Sequence, residues 1–290
     1  MAQFKTTTIE LGQGSIDVRD SGGTGDPLVF VHGLFVDGTL WEDMLPLLAD
    51  SHRCIVPDLP LGSHRAAMRP DADLSPPALG DMLAATLDAL GIDRATLVGS
   101  DTGGAISQIA AARHPDRFPR LILTPCDTHE NFLPPAFRPL QWAARVPAVV
   151  RAGLALTRFG AMRRSPLAYG PLVKRRPQPD DRYARWTRPA RTDAGVRRDL
   201  VAVLRGIDTR HLMAATDSLI AAPPRTLIIW TREDRFFTPA EAERLAAEIA
   251  GSEITWVSDA KTFVQIDQPG VVAELIADFC ARSAVAVAPV

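Results

Sequence analysis

Between residues 95 and 104 an apolar run, Ala95-Thr96-Leu97-Val98, gives way to Gly99-Ser100-Asp101-Thr102-Gly103-Gly104 and then to the helical stretch AISQIAAARHP. A carboxylate with small residues two positions to either side, between a strand and a helix, is the pattern of a sharp turn that lifts one side chain above a sheet. The small residues are required because such a turn brings backbone and neighbouring strands very close. The N–H of residue 102 and the positive end of the helix dipole would stabilise negative charge beside Asp101. A carboxylate held this way can attack carbon or move a proton. The plainer reading of Asp101 is a helix N-cap, and the two roles can coexist.

The elements that would position Asp101 can be read along the chain. TTTIEL (6–11) and SIDVRDSG (15–22) form a predicted hairpin. PLVFVHG (27–33), RCIVPDL (53–59), ATLVGS (95–100), RLILTPC (120–126) and RTLIIWT (225–231) are continuous apolar runs, as expected of strands buried on both faces. EITWVSD (253–259) is the last predicted strand. Helical spacing intervenes, as in PALGDMLAATLDALG (77–91), the AEAERLAAEIA stretch and GVVAELIADFCARS. This alternation predicts an α/β fold: a mostly parallel eight-stranded sheet with helices on both faces.

Charge divides the chain. From His129 to Asp217 there are 17 Lys and Arg against 7 Asp and Glu, whereas the remainder carries 15 against 27. The basic stretch is proline-rich and holds both tyrosines, Tyr169 and Tyr183. It is read as a helical cap, 129–217, inserted in a core of 1–128 and 218–290. Solvated helix faces explain the charge most simply. A cap that attracts an anionic substrate or packs on an acidic core is the sharper alternative.

The net charge of −2 argues against nucleic acid as a partner. No run of eighteen apolar residues predicts a membrane span, and the first residues lack a signal-peptide layout. The scattered Cys54, Cys126 and Cys280 suit a reducing cytoplasm. Neither a metal-ligand cluster nor a phosphate-binding loop is present, so no metal or cofactor is expected. The expected partner is a small-molecule substrate, with the chain a monomer or homodimer and no membrane association.

The element order, Val31-His32-Gly33, Asp58-Leu59-Pro60, the Asp101 turn and the Asp234-containing turn resemble the α/β-hydrolase superfamily over nearly the whole chain outside the insert. An aspartate at the turn resembles the branch of haloalkane dehalogenases, fluoroacetate dehalogenases and epoxide hydrolases. That resemblance implies a covalent alkyl-enzyme ester on Asp101, released by a histidine-activated water. It implies an oxyanion hole from the N–H of Leu34 or Phe35 with that of Thr102, and a turn-shaping role for His32. It also implies that Asp234, with Glu233 as competitor, is the acid that orients the histidine.

The pattern breaks at that histidine. The stretch Ser258 to Pro269 has Phe263 and Pro269 in place, but Thr262 stands where the resemblance expects His, and no histidine follows His211. Threonine cannot accept a proton near neutral pH, so an ester on Asp101 would stall. One route is a relocated base: His64 in the loop after the fourth strand, or His129 after the sixth, with Asp127 and Glu130 as further acids. A second is acid–base chemistry by Asp101 in a lyase, isomerase or cyclase, for example in secondary metabolism. A third is a catalytically inactive ligand-binding protein.

Other departures narrow the branch. Thr102 replaces the Trp or Arg that dehalogenases carry after the nucleophile, and Phe35 replaces the proline of epoxide hydrolases. Tyr169 and Tyr183 could serve as the two cap tyrosines of epoxide hydrolases, or simply pack at the cap interface. The expected pocket is apolar and lies between core and insert, walled by Phe35, Trp142, Trp186 and Phe263. Hydrolysis of a carbon–halogen, epoxide or ester bond is the activity that the resemblance implies.

Overall fold

The computed structural model describes residues 4–174 and 179–284. Eight strands form one sheet in the order β1-β2-β4-β3-β5-β6-β7-β8. They are β1 (Lys5–Leu11), β2 (Gly14–Asp20), β3 (Pro27–Val31), β4 (Arg53–Pro57), β5 (Thr96–Asp101), β6 (Arg120–Cys126), β7 (Arg225–Trp230) and β8 (Glu253–Trp256). The β1–β2 hairpin is antiparallel and β2 meets β4 antiparallel; every pairing from β4 to β8 is parallel. The expected sheet is therefore present, with β8 ending at Trp256, three residues short of its predicted end.

The apolar strands are continuous because alternate residues serve opposite faces. In β3, Val29 and Val31 join one core cluster while Leu28 and Phe30 join the other. Ile228 and Trp230 of β7 divide from Leu227 and Ile229 in the same way. The first cluster is closed by α2 (Pro76–Ala89), α3 (Thr102–Arg113) and α10 (Pro239–Glu248), the second by α1 (Leu45–Leu48), α11 (Val264–Asp267) and α12 (Pro269–Ala284).

Between β6 and β7 the chain forms α4 (Arg138–Ala144), α5 (Pro147–Leu156), α6 (Gly160–Arg163), α7 (Asp180–Thr192), α8 (Ala194–Gly206) and α9 (Thr209–Ala221). The helices α4 to α8 pack chiefly on one another. By contrast α9, which the charge-based boundary at 217 divides, lies along α3 and places Leu212, Ala215 and Leu219 in the first core cluster.

The strand order fixes where chemistry can occur. From β3 the chain moves to β4 on one side and then returns to β5 on the other, so the connections leaving β3 and β5 diverge. Their carboxyl ends bracket a crevice, the usual ligand position in an open parallel sheet. Leu34 follows β3 and Asp101 ends β5.

Candidate active site

Asp101 has φ 56° and ψ −138°, outside the conformations that a non-glycine residue adopts readily. The turn holds because glycine backbone closes around it. A Cβ on Gly33 would lie 2.1 Å from Asp101 Oδ2, and one on Gly103 would lie 2.3 Å from the carbonyl oxygens of Val31 and His32. The glycines thus allow the turn after β3 to press against the turn after β5.

Two backbone N–H groups, of Leu34 and Thr102, donate to the Asp101 carboxyl. Phe35 N–H is already taken by Leu61 O at 3.0 Å, so Leu34 is the member of that pair that reaches Asp101. Burial nevertheless pushes the Asp101 carboxyl up to about 7, with the Thr102 and Leu34 N–H groups pulling down and the charge of Asp234 pushing further up.

The surroundings of Asp101 are acidic. Asp127 follows β6 and is fully buried; its Oδ1 accepts from Leu133 N–H at 2.8 Å. Burial, and then the charge of Asp101, raise its carboxyl well above the usual range. Asp234 lies in the turn after β7, with Oδ1 accepting from the N–H groups of Phe236 and Phe237 at 2.8 and 3.1 Å. Burial raises Asp234 against the pull of those groups and of the neighbouring Thr262 hydroxyl. The Thr102 hydroxyl faces Asp127 as the Thr262 hydroxyl faces Asp234, each lowering the carboxyl beside it.

Thr262 lies in the turn after β8, held by neighbouring backbone contacts. Thr231 Oγ1 donates to Ala260 O at 2.9 Å, and Phe263 N–H donates to Leu172 O of the insert at 3.0 Å. Gln265, which the sequence reading passed over, is fully buried and donates from Nε2 to Ser100 Oγ at 3.0 Å. It ties α11 to the residue before Asp101. Its 165-residue separation from Ser100 left no signal in the sequence.

The histidines are committed elsewhere. His32 Nε2 accepts from Leu59 N–H and Nδ1 faces Gly33 O, both at 3.0 Å, while burial lowers its proton affinity. It is a neutral brace between the turns after β3 and β4. His64 pairs through Nε2 with Asp199 of α8 at 3.2 Å, and its Nδ1 accepts from Gly62 N–H at 3.3 Å. His129 pairs through Nε2 with Glu248 of α10 at 2.8 Å. His129 Nδ1 is buried without a hydrogen-bond partner among the described residues. Glu130 faces outward in an ion pair with Arg244 at 2.8 Å.

The insert closes on the core through aromatics. Trp186 is fully buried and donates from Nε1 to Asp37 Oδ1 and Thr39 Oγ1, at 3.0 and 2.9 Å. Tyr169 and Tyr183 stack with centroids 4.8 Å apart, and Tyr169 donates to Phe35 O at 2.5 Å. Phe263 meets Trp186 edge-on at 6.3 Å. Trp142, expected as a pocket wall, is instead 72% exposed on α4, because the buried face of that helix is the one carrying Ala144. An open cavity of about 480 Å³, lined in part by Pro171, Arg235 and Lys261, borders Asp234 rather than Asp101.

With this geometry established, comparison with known proteins decides the family. The model of the alpha/beta hydrolase fold matches residues 26–269. This chain belongs to the α/β-hydrolase superfamily. It is 29% identical to 2-hydroxymuconate semialdehyde hydrolase of Pseudomonas sp. over 92% of this chain and 90% of that protein. It is 25% identical to haloalkane dehalogenase 2 of Mycobacterium bovis over 94% of each. Haloalkane dehalogenase DbeA from Bradyrhizobium elkani superposes with a TM-score of 0.77 at 23% identity, covering 97% of this chain and all of that one, and so shares the fold. Members of the superfamily similar to this chain are thus hydrolases, the dehalogenase branch among them.

Among the described residues, no helix is long and apolar enough to cross a membrane, and no group of three metal-ligating side chains converges.

Proposed function

We propose that the protein is an enzyme acting on a small or medium apolar organic substrate, with Asp101 as an acid–base group rather than a nucleophile relieved by histidine. The observation that carries this reading is a buried carboxyl held at about 7 by burial, two backbone N–H donors and the charge of Asp234, with the Thr262 hydroxyl facing Asp234. A general acid or base works best with a proton affinity near the working pH. In such a step Asp101 takes a proton from a substrate O–H or C–H. The freed electron pair either closes onto a carbon whose C–O bond breaks, or forms a C=C bond as a leaving group departs, and Asp101 returns the proton to the oxygen or leaving group so released. The result is an elimination, isomerisation or ring closure with no net addition of water. The three buried, unpaired cysteines suit a reducing cytoplasm.

A second reading, hydrolysis through an ester on Asp101, is favoured by the similarity to a dehalogenase and to a semialdehyde hydrolase. The test offers the protein alkyl halides, activated esters and an epoxy alcohol in 18O-labelled water, with intact mass and products recorded. Ring closure of the epoxy alcohol without label, and without an adduct, is the expected outcome. A stable adduct on Asp101, or labelled hydrolysis product, overturns the acid–base reading in favour of the second. Binding with no turnover and no adduct overturns both in favour of a ligand-binding protein.

A further inference from the structure

From Asn131 to Pro179 the sequence has nine Lys and Arg and no Asp or Glu. Within it, α5 (PAVVRAGLAL) turns only Val150 and Leu154 inward. Its outward face is apolar apart from Arg151: Val149 and Leu156, seven residues apart and so on one stripe, are 52% and 51% exposed. Trp142 precedes this stripe and Phe159 follows it, the latter also half exposed. A surface helix ordinarily sets polar residues toward water, so a run of this kind marks a covered face.

Arginines frame that face. Arg145 and Arg151 are exposed and make no ion pair with any described residue, and the Arg158 guanidinium lies 4.4 Å over the ring of Phe159. This composition opposes a symmetric contact with a second copy, because a two-fold interface would set these arginines against one another. It fits a surface that is apolar within and negative at its edge, with tryptophan at the boundary. We propose that the α4–α5 face and Phe159 dock on an anionic lipid surface, laying α5 parallel to it. This departs from the expectation of no membrane partner, which was drawn from the lack of a spanning segment. Docking needs only an interfacial helix.

The test is flotation of the full chain with phosphatidylcholine vesicles, with and without phosphatidylglycerol, read together with tryptophan fluorescence. Of the five tryptophans, Trp41, Trp186 and Trp230 are fully buried and Trp256 is partly covered by Arg232, so a blue shift that disappears in Trp142→Phe reports Trp142. Binding is expected to need phosphatidylglycerol and to weaken as salt rises. The triple variant Arg145→Gln, Arg151→Gln, Arg158→Gln should bind about a hundredfold more weakly, roughly fivefold per arginine. Its melting temperature separates loss of binding from loss of fold. No binding to anionic vesicles overturns the proposal, as does equal binding to neutral ones or unchanged binding by a folded triple variant. A concentration-dependent dimer abolished by Val149→Glu would also overturn it, assigning the face to a second copy.

Discussion

The turn after β5 and the turn after β8 both lie at the carboxyl edge of the sheet, and they are built to different degrees. The first has a strained aspartate, glycines that let the backbone close in, two N–H donors and a helix N-terminus behind it. The second is braced by other contacts, with Phe263 packed on Trp186 and Thr231 bonded to Ala260, and presents a threonine beside an acid. The turn that carries Thr262 is supported from both core and insert, and it sets a hydroxyl beside Asp234. Support and chemistry are separable: one turn holds a strained acid and the other a hydroxyl, each braced by its own contacts.

The sharpest way to break this comparison is Asp101→Asn. If the first turn carries the chemistry, turnover should fall by about 10²–10⁴-fold with the circular dichroism spectrum unchanged. Retained activity would move the reaction elsewhere. Gly103→Ala tests the tightness of the same turn. A Cβ 2.3 Å from two carbonyl oxygens forces the backbone apart, and we expect a loss of about 3 kcal/mol or more in denaturant unfolding.

Thr262→His addresses the other turn by placing an imidazole beside Asp234. The larger side chain should cost about 1–3 kcal/mol of stability. It should also introduce hydrolysis, seen as 18O in the product, while the non-hydrolytic reaction slows. Unlabelled product at the original rate would show that the second turn is irrelevant to the chemistry. A milder form of this experiment adds free imidazole to the wild type.

Stability should also depend on pH through Asp101. Unfolded, Asp101 loses its proton near 3.8; folded, it keeps it to about 7. Between those values the native state binds more protons, so the contribution of Asp101 to stability declines as pH rises through the window and levels off above it. Asp101→Asn, which stays neutral, should gain on the wild type between pH 4 and 7, by roughly 2–4 kcal/mol at most. Urea unfolding at pH 4.5 and 7.5 measures this, and an equal difference at the two pH values would refute a buried, poised carboxyl.

The histidines show how far sequence reading reached. His64 and His129 were sound candidates by position, since both follow strands at the correct edge of the sheet. Their partners, Asp199 and Glu248, are 135 and 119 residues away, and no local pattern announces such pairs. Trp142 failed as a pocket wall for a related reason. Which face of α4 meets the core depends on how α4 and α8 cross, not on α4 alone.

What the sequence determined by itself was local: apolar strands long enough to bury both faces, the element order that makes the sheet parallel, and an aspartate between small residues at a strand–helix turn. These follow from short-range sterics and from hydrophobic periodicity, which adjacent residues specify. Only the tertiary structure decided that Leu34 rather than Phe35 donates to Asp101, that both candidate bases are paired with distant acids, and that the Asp101 carboxyl is held near 7. The ionisation of a buried group depends on what surrounds it from every side, and that shell is assembled from segments far apart in the chain.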